Sequence, residues 1–190
     1  VPNSGTPTTQ YDLVADLVVL RQTSDNAVIV RSNTGTLTND ITQPSAANGR
    51  DQAGAFTAST FIHLYFIWNG TTLATLSSAS PPPTGPTLPT GYTHWAYAGA
   101  IGLNGSTQIV ANKLRGAWTS YNNSNTVLTG GTATSATLVS LTAAVPDGAL
   151  TVRLRIRVDT TNNDNAHQCR IWHTAGAEDY LVIDPVGSGQ

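Results

Sequence analysis

Apolar and polar residues alternate most regularly near the end of the chain, where Leu150, Val152, Leu154, Ile156 and Val158 are separated by Thr151, Arg153, Arg155 and Arg157. A period of two predicts a half-buried strand over Leu150 to Val158. The same signal, with β-branched and aromatic enrichment, predicts strands at Tyr11 to Leu20, Asn26 to Arg31, Thr60 to Trp68, Leu73 to Ser78, His94 to Ile101 and Thr107 to Ala111. Later candidates are Thr126 to Thr129, Ala136 to Leu141, His167 to His173 and Tyr180 to Ile183. No segment carries a helical stripe.

Asn48-Gly49, Asn69-Gly70, Asn104-Gly105 and Asp147-Gly148 punctuate these runs. Such pairs tolerate positive φ and suit tight turns; Asn69-Gly70 and Asn104-Gly105 are the strongest hairpin signals. Many short strands without helices to cover parallel crossovers predict an all-β fold, an antiparallel β-sandwich of jelly-roll type. The run from Thr60 to Trp68 is apolar on both faces, with Ile62, Leu64, Phe66 and Trp68 on one and Phe61, His63, Tyr65 and Ile67 on the other. The second face needs a loop, another sheet or a neighbouring subunit over it, which makes Phe61, His63, Tyr65 and Ile67 candidate subunit-interface residues. Prolines 81, 82, 83 and 86 predict a stiff surface loop.

The chain has 190 residues, enough for one domain whose core needs no disulfide or metal. Residues 1–10, with Pro2, Gly5 and Pro7, read as a linker or N-terminal arm, and 11–186 as a single sandwich domain. The first residue is Val1, not Met, which fits a processed chain or a piece of a longer one. Only 11% of residues are charged and the net charge is −2, so no basic footprint for nucleic acid is present. No apolar run reaches the length of a membrane-spanning helix. The single cysteine, Cys169, has no internal partner.

Candidate chemistry is sparse. His167 and Cys169 sit two residues apart on one strand face, while His173 lies about 20 Å further along, and no second pair completes a zinc site. Asp159 to Asn165 offers oxygen donors but lacks the glycine and closing glutamate of a calcium loop. No metal or cofactor is therefore expected. No Gly-x-Ser-x-Gly elbow is present and Glu178 is the only Glu, so no enzyme is expected either. Arg153, Arg155 and Arg157 can clamp carboxylates or phosphates of a surface polysaccharide, or pair with acids on an adjoining strand. Trp118 and Tyr121, beside a run of Asn and Ser, are candidate sugar-stacking aromatics; Trp95 is a third, although Trp95, Tyr97, Gly99 and Ile101 also alternate as a core face would. Tyr92 is expected to anchor a loop to the sheet.

Two blocks stand out between Leu37 and Val110. The first is LTNDITQPSAANGRDQAGAFTASTFIHLYFIW, in which Asp40-Ile41, Asn48-Gly49, Asp51 and Gly54 lead into an aromatic strand, and the second is PTLPTGYTHWAYAGAI. In their order and spacing they resemble a domain of tail-fibre and other minor virion proteins of tailed bacteriophages. The chain departs from that pattern at Arg50, where an apolar residue is usual, and at Phe61-Ile62, His94-Trp95 and the extra prolines at 81 to 83. The resemblance implies a virion structural protein, often a homotrimer, that contacts other virion proteins or a host-surface glycan or protein, and it brings no catalytic residue. Tail-fibre attachment leads; capsid or tail decoration, and a bacterial carbohydrate-binding module or adhesin, are the alternatives.

Overall fold

A computed structural model describes residues 1–22, 24–25, 27–116, 118–122, 126–129, 135 and 137–154, with the backbone of Cys169–Trp172 and Tyr180–Ile183. The described residues are all-β, without a helix. They form one six-stranded sheet and three two-stranded ladders, an arrangement consistent with a β-sandwich. The chain falls into two compact units: Val1–Asn125 with Thr142–Ala149, and Thr126–Leu141 with Leu150–Gln190.

In the first unit the six-stranded sheet runs β3 (Val28–Ser32), β2 (Leu17–Gln22), β8 (His94–Gly102), β6 (Phe61–Trp68), β7 (Leu73–Ser78), β5 (Gly49–Arg50). Its pairings are antiparallel except β5 with β7, which run parallel. The run predicted as one strand from Tyr11 to Leu20 is two: β1 (Gln10–Leu13) pairs with β4 (Leu37–Asp40), whereas β2 joins the large sheet. The corner between them is tied by Ala15 N donating to Thr34 Oγ1 at 3.0 Å and Asn33 N donating to Asp16 O at 2.8 Å.

The alternation on β6 is visible in its packing. Ile62, Leu64, Phe66 and Trp68 enter a core with Tyr11, Leu13, Val18, Leu20 and Ile101. Tyr65 and Ile67 enter a second cluster with Ala74, Leu76 and Trp95, against which Ala47, Leu88 and Tyr92 pack. Full burial of side chains of this size contributes roughly 1.5–3 kcal/mol each. The second face of β6 is therefore closed by the chain's own loops, and His63, Tyr65 and Ile67 are buried without a neighbouring subunit. Of the four expected interface residues only Phe61 keeps partial exposure.

The expected alternation of Trp95, Tyr97, Gly99 and Ile101 on one face does not hold. Leu64 faces Gly99 and Tyr65 faces Tyr97, so Ala98 is the extra residue of a β-bulge. An inserted residue flips the parity of every later position on the strand, which puts Trp95 in the second cluster and Ile101 in the first.

The Asn69-Gly70 hairpin joins β6 and β7 as predicted, with Asn69 Oδ1 accepting from the backbone N–H groups of Thr71 and Thr72. Residues 1–10 lie against the body: Val1 and Asp12 exchange backbone bonds, Thr9 O accepts from Ile41 N, and Thr8 O accepts from Ile109 N. A further ladder joins β9 (Asn112–Arg115) to β10 (Trp118–Tyr121), and the strand expected at Thr107 to Ala111 is reduced to a single bridge at Ile109.

In the second unit β11 (Cys169–Trp172) pairs with β12 (Tyr180–Ile183), close to two predicted strands. Leu150 to Leu154, the most regular alternation in the chain, forms no strand; Leu150 is 97% exposed. Alternation makes a strand only where a partner edge and a buried face exist, and among the described residues no strand pairs with these; the rest of the expected strand, 155–158, lies outside the described residues. Residues 126–129 and 137–141 likewise carry no strand among the described positions.

Candidate functional site

The loops between β4 and β6 and after Leu103 build one shallow cavity in the first unit. The chain turns at Asp40, whose Oδ1 accepts from the Thr42 backbone N–H and hydroxyl at 2.8 and 2.6 Å while Oδ2 accepts from Gln10 Nε2 at 3.0 Å. Burial pushes the Asp40 carboxyl up, but these bonds and the charge of Arg50 outweigh it and hold the group below the usual range. Asn48, at φ 64°, then brings the chain alongside β7: its N–H donates to Thr75 O and its Oδ1 accepts from Thr75 N. The next position is Gly49 because any Cβ there would stand 2.6 Å from the Gln43 carbonyl oxygen.

That path carries Arg50 inward. Its guanidinium donates to Ile41 O at 2.9 Å and Ala53 O at 3.0 Å, while Nε has no hydrogen-bond partner among the described residues. Arg50 is 7% exposed. Opposite, Asn104 Oδ1 accepts from the N–H groups of Ser106 and Gln108, both at 2.9 Å, fixing the second loop. Between the two loops lies an open cavity of about 310 Å³. Ile41, Ala55 and Phe56 supply apolar wall, and Thr42, Ser106, Thr107 and Gln108 supply hydroxyl and amide groups. The sequence marks these loops as architecture and Arg50 only as a departure; the signal it offers is the one Lys or Arg between Leu37 and Trp68, in a turn-rich segment that otherwise carries only Asp40 and Asp51 as charges.

A second cavity, about 250 Å³, is lined by Thr60, Phe61, Gly102, Val110 and Tyr121 among others. The Tyr121 ring meets Phe61 edge-on, 6.5 Å between centroids. Burial drives its phenol up.

The expected sugar-stacking residues are scattered. Trp118 is 53% exposed on β10, three positions before Tyr121. Trp95 is buried, with Arg21 stacked 4.3 Å from its ring centroid and Tyr65 edge-on at 5.4 Å, so it belongs to the core and offers no face to a ligand. Tyr92 packs against the same cluster. Arg153 lies in the strandless segment, and Arg155 and Arg157 lie outside the described residues, as do His167, His173 and Asp159 to Asn165. Among the described residues no three His, Cys, Asp or Glu side chains gather as metal ligands, and no helix is long and apolar enough to cross a membrane.

No family model, no curated protein and no solved structure matches this chain. What the fold and its loops define is a class only: an all-β module with a small, open concavity lined by apolar and neutral polar groups beside one buried cation.

Proposed function

We propose that the chain is a non-enzymatic structural module of a bacteriophage virion, a tail-fibre or related appendage domain that attaches to a host-surface glycan. The observation that carries this reading is the cavity between the Asp40 to Phe56 and Asn104 to Ile109 loops. Side-chain bonds from Asp40, Asn48 and Asn104 fix both loops in advance, so little conformational entropy is lost when a polar ligand enters. Apolar and hydroxyl groups lining one cavity suit a sugar ring, which has apolar C–H faces and a polar rim. The two-block resemblance from Leu37 to Val110 spans the first loop and supports the virion setting.

A second reading, capsid or tail decoration, draws on a different surface. Leu17, Val19, Val28 and Val30 are each at least half exposed on the β2–β3 hairpin at the edge of the large sheet. An aliphatic stripe on an edge hairpin, with Arg21 the one charged residue among the positions paired on its face, suits contact with other virion proteins or with copies of this chain, including the homotrimer that the resemblance implies. A bacterial carbohydrate-binding module shares the first cavity's chemistry without the virion setting.

The test is adsorption of the fluorescently labelled chain to a panel of bacterial strains and their purified surface polysaccharides. Saturable binding to a subset of strains, competed by the polysaccharide of those strains, is expected. Binding to none would sink attachment and leave decoration, which binding to assembled virions would then support.

A further inference from the structure

We infer that the Arg50 cavity is a subsite for an acidic sugar, one whose ring carries a carboxylate, so that the glycan recognised is a uronate- or sialate-type polysaccharide. This rests on the attachment reading above and names its ligand class.

The charge of Arg50 is the starting point. An arginine that is 7% exposed has left most of its hydration behind, and among the described residues no carboxylate forms an ion pair with it. Asp40 acts on it through space, but the Asp40 oxygens are already occupied by Gln10 and Thr42. Two backbone carbonyls hold the guanidinium in place, and Nε keeps an unmatched N–H. A loop clamp alone would be served by a neutral amide at less desolvation cost. A guanidinium is the side chain suited to binding a carboxylate through paired hydrogen bonds.

The surroundings decide which carboxylate. Ala55, which is exposed, presents apolar surface in the same wall as Arg50, beside the buried Phe56 and Ile41, and a bare inorganic anion does not use it. Ser106, Thr107 and Gln108 line the same opening, and a cavity of about 310 Å³, at the lower limit of small-ligand sites, suits a single ring. A carboxylate on Arg50, ring C–H groups on Ala55 and the hydroxyl and amide groups of Ser106, Thr107 and Gln108 match the lining of the cavity.

The experiment is an NMR titration of the full isotope-labelled chain with three probes: a tetrasaccharide alternating glucuronate and N-acetylglucosamine, the neutral tetramer of N-acetylglucosamine, and sodium sulfate. The acidic tetrasaccharide is expected to shift resonances of 41–56 and 104–109 saturably and to bind at least about tenfold more tightly than the neutral one. Arg50→Gln should remove that preference. Because Arg50→Gln also weakens two loop bonds, Ala55→Trp, which fills the mouth from an exposed position, serves as the second variant and should abolish binding with an unchanged spectrum elsewhere. Equal binding of the neutral probe, unchanged binding by Ala55→Trp, or sulfate alone reproducing every shift would each overturn the acidic-sugar site. Strain adsorption by wild type that survives Ala55→Trp would overturn this site while leaving attachment standing; no adsorption by wild type would remove attachment, and the titration would then judge the site alone.

Discussion

The Tyr11 hydroxyl donates to Asn112 Oδ1 at 2.8 Å across 101 positions of sequence, and both side chains are buried, at 0% and 2% exposure. Asn112 in turn donates from Nδ2 to Val110 O. One phenol thus fastens the first strand of the chain to the β9–β10 hairpin, beside the loop that carries Ser106 to Gln108. The geometry of the candidate site depends on this long-range bond as well as on its local turns.

Tyr11→Phe is expected to cost about 1–3 kcal/mol, because it leaves a buried amide oxygen without a donor while changing the packing little. Urea unfolding of Tyr11→Phe, Asn112→Ala and the double variant would isolate the pair. A coupling energy near zero in that cycle would mean that the bond contributes nothing beyond packing.

The same phenol sets an alkaline limit. Burial raises the Tyr11 ionisation from 10.0 to about 12, and burial also raises Tyr65, Tyr97 and Tyr121. Above pH 10 the unfolded chain releases these protons while the folded chain keeps them, so stability must fall as pH rises. Tyr11 alone accounts for about 2 kcal/mol by pH 12, and the others steepen the decline. Denaturant midpoints measured from pH 8 to 12 should be level at first and drop beyond 10; a flat profile would contradict the desolvation of these phenols.

At the acid end His63 acts in the opposite sense. Desolvation lowers its pKa below 6.5, opposed by the charge of Asp147, and its Nδ1 lies 3.2 Å from the Tyr97 hydroxyl. The unfolded state takes up the proton first, so the contribution is present above about 6.5 and is lost as pH falls through the folded-state value. His63→Gln should flatten this part of the stability profile between pH 7 and 5, and an equal slope in wild type and variant would assign the acid response to other groups.

How far the fold is legible from the sequence depends on what each pattern needs from elsewhere. Leu73 to Ser78 and the Asn69-Gly70 turn are local: alternation, β-branched residues and turn chemistry suffice, and the observed strand has the predicted bounds. Leu37 to Asp40 and Asn112 to Arg115 lack an apolar alternation of their own, and their pairing with Gln10 to Leu13 and Trp118 to Tyr121 makes them strands. The face of Trp95 is misjudged from alternation because a one-residue bulge at Ala98 leaves no mark in composition. Arg50 reads as a mere departure because its burial is decided by Gly49 and the Ile41 and Ala53 carbonyls, a set of contacts that spacing cannot reveal.

The loop that covers the second face of β6 depends on a glycine. Gly85 has φ +76°, and a Cβ there would come within 2.7 Å of the Trp95 ring. Trp95 cannot yield easily, being held between Arg21 and Tyr65. Gly85→Ala is therefore expected to lose about 1–3 kcal/mol through backbone strain and overpacking together. The readout is a lower urea midpoint at constant slope, with Trp fluorescence shifted toward solvent-exposed values; an unchanged midpoint would show that the loop relaxes away from the sheet.

The aliphatic stripe gives the last prediction, because with His63, Tyr65 and Ile67 buried in their own chain any self-assembly needs another surface. Val19 and Val30 face each other across β2 and β3, at 55% and 50% exposure. Replacing them together, Val19→Lys with Val30→Glu, puts opposite charges at a directly paired cross-strand position, which keeps the hairpin folded while making the stripe unsuitable for a dry interface. Stability should stay within about 0.5 kcal/mol of wild type, as for other exposed substitutions. Light scattering on the wild-type chain is expected to give about three times the 19.9 kDa chain mass, and the double variant should run as a monomer. A double variant that still assembles would remove the stripe as the interface. A wild type that stays monomeric at high concentration would remove self-assembly and leave the stripe to a different virion protein, the contact on which the decoration reading depends.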